Sequence, residues 1–139
     1  MFTKQKIILT VTFILSIVGL MLTFRMVVND KTPVETLSLP SPEQWESIKN
    51  DDQTLAIGQV EYKLRCYKCH GLYGEGTYKG VNLIDDTWLH GSDENAILTS
   101  IYYGAGNMRG YAKKLLDKDL HAITVYVKYL GSIAKDTKK

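Results

Sequence analysis

The chain has few cysteines and little net charge, and each shortage excludes a class of protein. Its 139 residues contain two cysteines, so a disulfide-framework protein is excluded. The formal net charge is +2, which provides no strong field for nucleic acid, and we expect no nucleic-acid partner. Internal repeats and convincing strand alternation are also absent from the sequence. The length and the helical patterns therefore predict one all-α domain.

A long apolar run near the N-terminus predicts a membrane anchor. Residues 7–28 read IILTVTFILSIVGLMLTFRMVV, with Arg25 as the single charge. A helix of this length spans roughly 33 Å at ~1.5 Å per residue, about the thickness of a bilayer core. Lys4 and Lys6 precede the run, and positive flanks favour the cytoplasmic side. We therefore predict an uncleaved signal anchor at residues 1–28, with the remaining chain outside the bacterial inner membrane.

A cleaved signal peptide and a buried core helix are the alternative interpretations of this run. The run is longer than the apolar part of a signal peptide needs to be, and no A-x-A-like cleavage site follows it. No cysteine follows it closely, which excludes a bacterial lipoprotein anchor.

A polar stretch separates the anchor from the rest of the chain. All three prolines lie within residues 29–52, which we expect to form a semi-extended linker. Within it, SPEQWESI predicts a short helix with Ser41 as its N-cap and Pro42 at its first position. We expect Trp45 to pack on the following domain or on a partner.

Both cysteines belong to one short motif, CYKCH, which ends at His70. Residues three and four apart share a face of a helix, so Cys66, Cys69 and His70 point the same way. This is the attachment pattern of haem c, in which two thiols form thioethers with the haem vinyl groups and the histidine ligates the iron. The motif predicts one covalent haem c in a domain at residues 53–139.

Zinc binding and thiol exchange are alternative uses of this motif. A structural zinc site needs four ligands, and the remaining histidines, His90 and His121, are far apart and unpaired in the sequence. A redox Cys-x-x-Cys is expected in a βαβ setting and without the adjacent histidine. Attachment of haem c outside the cytoplasm also agrees with the predicted topology.

Three helices are predicted around the motif. The first covers residues 54–70 and ends in the motif, and the second runs from Ser92, its N-cap, to Gly104. The last ends at Gly131, has one apolar stripe, and carries His121 on its polar face together with Asp117, Thr124 and Lys128. The stripe consists of Leu116, Leu120, Ile123, Val127 and Leu130.

Met108 is the predicted sixth ligand of the iron. Three of the four methionines, Met1, Met21 and Met26, lie in the anchor region. Met108 lies in YYGAGNMRGY, a glycine-rich loop between two predicted helices that can fold over the haem. His90 is an alternative ligand, and a methionine that only fills the core is another alternative.

Other side chains are candidates for contact with the haem. Leu83 is expected to pack on the haem face, and Trp88 and Tyr111 to line the haem or bind its propionates, with a role as core aromatics as the alternative. The same two roles, contact with the haem or packing in the core, are expected for Tyr102 and Tyr103. Basic residues are expected to ring the haem edge and steer a partner, or else to form a solvated face. They are Lys63, Arg65, Lys68, Arg109, Lys113 and Lys114.

From about Gly58 to Leu130 the chain resembles class I cytochromes c. It is most similar to the C-terminal haem domain of the dihaem subunit of cbb3-type cytochrome c oxidases, through GQVEYKLRCYKCHGLYGEG, VNLIDDTWLHG, IYYGAGNMRGY and ITVYVKYL. NLIDDTWLHG is the specific part, because cysteine motifs alone occur in many cytochromes. The resemblance implies a class I cytochrome c fold, with Gly58 and Tyr126 at the crossing of its first and last helices.

The chain departs from this family at two prolines. Val81 stands where the family usually has a proline whose carbonyl holds the Nδ1–H of the proximal histidine, so the resemblance implies that role for the Val81 carbonyl. Arg109 stands where a proline usually follows the distal methionine, and it puts a charge near the haem edge. A second haem motif is absent, unlike in a dihaem subunit.

Coordination by His70 and Met108 leaves no open position on the iron, so electron transfer is the expected function. Thioether sulfur favours ferrous iron and raises the reduction potential. We predict a membrane-anchored, electron-transferring subunit of a respiratory complex, without catalysis of its own. Its expected partners are other membrane subunits and a redox donor or acceptor. The alternatives are a haem enzyme or gas sensor with a labile Met108, and a structural haem subunit that passes no electrons.

Overall fold

The computed structural model describes residues 13–19 and 36–137, and the chain divides into two compact units, Met1–Thr36 and Leu37–Lys139. In the first unit, residues 13–19 are helical and exposed to solvent. Across the two described ranges, no helix combines the length and the apolar character that crossing a membrane requires. The rest of the transmembrane helix predicted at residues 7–28 lies outside the described residues.

The second unit consists of five helices and one short hairpin in its described part. In chain order these are α1 (Pro42–Lys49), α2 (Thr54–Arg65), α3 (Tyr67–His70), α4 (Glu94–Tyr103), β1 (Gly104–Ala105), β2 (Met108–Arg109) and α5 (Asp117–Asp136). The two strands pair antiparallel, with Ala105 opposite Met108. The predicted all-α class therefore holds apart from this two-residue ladder.

The core lies where α2 and α4 pack on α5. Gly58 of α2 faces α5 so closely that a Cβ atom there would overlap the Ala122 carbonyl and lie 2.8 Å from the Tyr126 Cβ. The crossing implied by the resemblance is therefore present, and a glycine is required at it. Leu98, Leu120 and Ile123 are almost fully buried beside it.

Helix α1 belongs to this unit rather than to an extended linker. The Ser41 side chain and Gln44 form a capping box, and Pro42 occupies the first turn, as the sequence predicted. The Trp45 side chain is 4% exposed, and its Nε1–H donates to Asn95 Oδ1 at 2.8 Å. The stretch expected to be semi-extended over residues 29–52 is therefore interrupted by a packed helix from Pro42 onward, because burial of the indole fixes that helix against α4.

Three predicted helix ends differ from the structure. The helix expected over residues 54–70 breaks at Cys66, which has φ −106° and separates α2 from α3. The N-cap of α4 is Asp93 rather than Ser92, because the Asp93 carboxylate accepts from the Ala96 N–H. Helix α5 continues through Gly131 to Asp136, since a glycine inside a packed helix weakens it without ending it.

The faces of α5 also differ from the prediction at two positions. Leu116 is the N-cap and is 64% exposed, so it lies outside the buried stripe. Thr124 was expected on the polar face but is buried, and its hydroxyl donates to the Leu120 carbonyl at 3.0 Å. His121 is half-buried and packs edge-on against Trp45, with ring centroids 5.4 Å apart.

Candidate cofactor site

The second unit contains a cavity of about 930 Å³, close to the upper end of the ~300–1,000 Å³ typical of ligand sites. Its walls come from α2, α3, the loop before α4, α4 itself, the hairpin and α5. Each residue predicted to hold the haem lines this cavity: Cys66, Cys69, His70, Val81, Leu83, Trp88, Met108 and Tyr111. The fold therefore brings together residues from three separate segments, 66–70, 81–88 and 108–111.

The two cysteines reach the cavity because the chain changes direction at Cys66. The Cys66 carbonyl accepts from the N–H groups of Cys69 and His70 at 3.1 and 3.0 Å, which forms the short helix α3. Both thiols are free and half-buried. Burial raises the pKa of the Cys66 thiol to about 11, with Glu61 and Cys69 adding to the rise and Arg65 opposing it. The Cys66 thiol is therefore protonated at neutral pH.

The His70 imidazole is oriented by a backbone carbonyl. Its Nδ1 lies 2.9 Å from the Val81 carbonyl oxygen. Because a carbonyl can only accept, Nδ1 carries the proton and the Nε2 lone pair is free to bind a metal. The Val81 carbonyl thus makes the contact that the resemblance implied, although Val81 replaces the usual proline.

The loop between His70 and Val81 is attached to the motif at two further points. The Gly76 N–H donates to the His70 carbonyl at 2.7 Å, and the Thr77 hydroxyl donates to the Cys69 carbonyl at 2.6 Å. A Cβ at Gly80 would lie 2.7 Å from the same Cys69 oxygen, so only glycine permits this approach. The loop therefore returns across the motif and delivers the Val81 carbonyl to His70.

Met108 comes from the hairpin on another part of the wall. It lies on β2, is half-buried, and packs against the hydrophobic core. After the hairpin, the Tyr111 N–H donates to the carbonyls of Ile101 and Tyr102 at 3.0 and 3.1 Å, which ties the loop to the end of α4. The methionine is therefore placed by a short loop held at its base.

The other candidates occupy different positions around the cavity. Leu83 and Trp88 are partly buried and pack against the core, while the Tyr111 hydroxyl lies 3.5 Å from the Arg65 carbonyl, at the outer limit of a hydrogen bond. His90 and Arg109 also line the cavity. Tyr102 and Tyr103 are outside its lining; the former is buried and the latter is exposed.

Several lining residues were not singled out as haem contacts from the sequence. Tyr62 lies one helical turn before Cys66, and this spacing on one helix face was the available signal. Ile97 and Ile101 share a face of α4 in the same way. Ile123 and Val127 were recognised only as members of the apolar stripe of α5. All five line the cavity.

The donor set and the lining fit one haem c. Two thiols and an oriented imidazole lie in the part of the wall formed by the motif, while a thioether sulfur belongs to a separate loop. Large apolar side chains supply much of the remaining lining. In residues 13–19 and 36–137, no group of three or more His, Cys, Asp or Glu side chains is arranged to hold a metal ion.

Sequence comparison relates the haem-motif half of the chain to oxidase subunits. No family model matches the chain. It is 38% identical over 79 residues to the cbb3-type cytochrome c oxidase subunit FixP of Bradyrhizobium diazoefficiens, covering 55% of this chain and 27% of FixP. It is 33% identical over 84 residues to the corresponding subunit CcoP of Rubrivivax gelatinosus, covering 59% of this chain and 28% of CcoP. The chain thus matches little more than a quarter of either relative.

Structure comparison identifies the fold. Cytochrome cL of Methylophaga aminisulfidivorans aligns with a TM-score of 0.55 at 21% identity, covering 71% of both chains. Cytochrome cL of Hyphomicrobium denitrificans aligns with a TM-score of 0.51 at 22% identity, covering 70% of this chain and 61% of the other. The fold is therefore that of a class I cytochrome c. Within that class, the chain is similar in sequence to part of the FixP and CcoP subunits of cbb3-type oxidases.

Proposed function

We propose that the chain is a monohaem c-type cytochrome that transfers single electrons. Cys66 and Cys69 form the two thioethers, His70 is the proximal ligand and Met108 is the distal ligand. The observation that carries this proposal is the cavity itself, which collects the attachment motif, an imidazole with a defined tautomer and the Met108 side chain. When bound, haem c supplies a one-electron couple.

The residues of the chain adapt that couple to electron transfer. The Val81 carbonyl keeps the proton on His70 Nδ1 and increases the basicity of Nε2. The Met108 sulfur favours the ferrous state, and the apolar lining limits access of water; both raise the reduction potential. His70 and Met108 would both be occupied in holding the iron and would leave no position for a substrate, so the group would supply one-electron transfer alone.

We further propose that the chain is anchored in the bacterial inner membrane by residues 7–28, with the haem domain on the periplasmic side. The apolar run and the preceding Lys4 and Lys6 support this orientation. Similarity to FixP and CcoP supports a role as a subunit of a respiratory oxidoreductase complex, with other membrane subunits and a redox donor or acceptor as partners.

Binding of carbon monoxide tests electron transfer against the second candidate, a haem enzyme or gas sensor. That candidate is favoured by the position of His90 in the cavity lining, since a second potential ligand there could accompany a labile Met108. The purified ferrous protein is mixed with carbon monoxide and followed by absorbance. A closed carrier shows little or slow change, whereas rapid, complete formation of a carbon monoxide complex would contradict the proposal.

Protease treatment tests the proposed topology. Spheroplasts containing the full chain are exposed to protease while intact and again after lysis. The haem-stained domain should be removed in both cases. Its survival in intact spheroplasts would contradict a periplasmic haem domain and the anchor orientation together.

A further inference from the structure

The Tyr62 hydroxyl makes a buried hydrogen bond next to the proximal ligand. Tyr62 is 0% exposed, lines the cavity and lies one turn before Cys66 on α2. Its hydroxyl donates to the carbonyl of Gly71, the residue directly after His70, at 2.8 Å. A buried tyrosine needs a partner for its hydroxyl, and here that partner belongs to the chain as it leaves the ligand.

The Gly71 peptide depends on this bond. Gly71 is buried, and its φ of +83° and ψ of 162° make a turn that ends α3. Its N–H is satisfied within α3 by the Tyr67 carbonyl at 2.8 Å. Among the hydrogen bonds of the described residues, the Tyr62 hydroxyl is the one donor to the Gly71 carbonyl. Loss of the hydroxyl therefore leaves a buried carbonyl unpaired, which favours rotation of the peptide.

The position of the Tyr62 ring is set by the helix crossing. Its ring centroid lies 5.4 Å from that of Tyr126, with the planes tilted by 56°. Tyr126 belongs to the part of α5 that Gly58 allows to approach α2. The hydroxyl is therefore held by the rigid core, whereas the loop that it contacts has no helix of its own between Gly71 and Val81.

We propose that Tyr62 is a positioning residue for the His70 ligand. Its hydroxyl holds the peptide after His70, while the Val81 carbonyl holds the imidazole itself at Nδ1. The two contacts act at the two ends of the same loop, so together they hold the imidazole of His70 in one orientation. This inference rests on the proposed role of His70 as an iron ligand and adds a residue that does not touch the iron.

The test uses Tyr62→Phe in the full haem-loaded chain, because phenylalanine keeps the ring and removes only the hydroxyl. Tyr126→Phe is the matched control. It removes a hydroxyl from the neighbouring buried ring, and that hydroxyl has no hydrogen bond among those of the described residues. Electron paramagnetic resonance of the ferric protein reports the ligand field and the ligand orientation, and redox titration reports the midpoint potential.

Tyr62→Phe should shift both the g values and the midpoint potential, and should lower the folding equilibrium constant about tenfold. Tyr126→Phe should leave the g values and the potential unchanged. Unaltered g values and potential in Tyr62→Phe would overturn the proposal, even if stability fell, because a merely structural hydroxyl predicts that result.

A second substitution keeps the test decisive if Tyr62→Phe loses its haem. Incorporation of 3-fluorotyrosine at position 62 preserves the ring and makes the hydroxyl a stronger donor. The potential and g values should then shift, and no shift would overturn the proposal. A wild-type protein that lacks a low-spin ferric spectrum would instead contradict the proposed function, so the two failures are distinguishable.

Discussion

The proximal and distal walls of the cavity are built in different ways. The wall that carries His70 lies within residues 66–81, where hydrogen bonds join the loop to Cys69 and His70, and the Tyr62 hydroxyl of α2 donates to the Gly71 carbonyl. The wall that carries Met108 is a hairpin with two residues in each strand, held at its base by Tyr111. The proposed ligand His70 is therefore strongly preorganised, and the proposed ligand Met108 rests on a smaller structure.

The hairpin depends mainly on glycine, whereas the His70 wall combines glycines with side-chain hydrogen bonds. Gly104 has φ +91° and ψ 165°, a region that is essentially restricted to glycine. A Cβ at Gly110 would lie 2.5 Å from the Tyr102 carbonyl oxygen. Backbone packing at these two positions, rather than side-chain contacts, returns the chain over the cavity. Substitutions in the two walls should therefore have different effects on the protein.

The largest effect is expected from Cys66→Ala combined with Cys69→Ala. Without thioethers the haem is held only by its axial ligands, and its loss leaves a cavity of about 930 Å³, far larger than the voids of packed cores. We expect loss of haem stain on a denaturing gel and rapid proteolysis of the domain. Each single substitution keeps one thioether and serves as the control. A double variant that is stably folded without haem would contradict this prediction.

Gly104→Ala should damage the distal wall and spare the proximal wall. Its Cβ would overlap the Met108 carbonyl, and the backbone conformation alone costs about 1–3 kcal/mol for another residue. We expect a lower urea midpoint and partial loss of the sulfur-to-iron absorption band, with haem still attached. Gly106→Ala is the matched control, because it has φ +55° but no atom within 4 Å of the added Cβ. Equal effects of the two substitutions would contradict the role assigned to Gly104.

The contrast between the walls also explains what could be predicted from the sequence. Cys66, Cys69 and His70 are close in sequence, so helical geometry alone places them together. Met108 was predicted as a ligand by eliminating the other methionines, and its hairpin was not predicted because two-residue strands carry no alternation. The Val81 contact came from the resemblance, since nothing local indicates which carbonyl a distant loop will deliver.

Tertiary contacts decide the remaining positions. Trp45 docks the predicted short helix on the domain rather than on a partner, because Asn95 supplies a partner for its indole N–H. His121 and Thr124 were assigned to a polar face, but α1 covers the first and the core encloses the second. These contacts join segments that are tens of residues apart, so local patterns contain no sign of them.

The smallest effect is expected at His121, which packs against Trp45 and is not part of the cavity lining. Burial lowers the pKa of His121, and Asp117 opposes this only in part. Because the folded-state pKa lies below the unfolded value of about 6.5, protons bind the unfolded state more readily. The contribution of His121 to the free energy of unfolding should therefore have its full value above the unfolded-state pKa. It should fall as the pH drops toward and through the folded-state pKa.

Urea titrations of the haem-loaded protein between neutral and mildly acidic pH measure this dependence. His121→Phe keeps an aromatic ring against Trp45 and should show a flatter profile. The haem absorption spectrum should not respond to this substitution, since His121 is outside the cavity lining. Identical pH profiles for the two proteins would contradict the assignment to His121.

The near-infrared spectrum and midpoint potential of Met108→Ala test the central claim most directly. In the ferric wild type, a weak sulfur-to-iron band should be present. Met108→Ala should abolish the band, lower the potential and allow the ferrous iron to bind carbon monoxide, while His90→Asn, in the same cavity, should change none of these. Persistence of the band and the potential in Met108→Ala would contradict methionine coordination, and with it the assignment of the chain as a closed electron carrier.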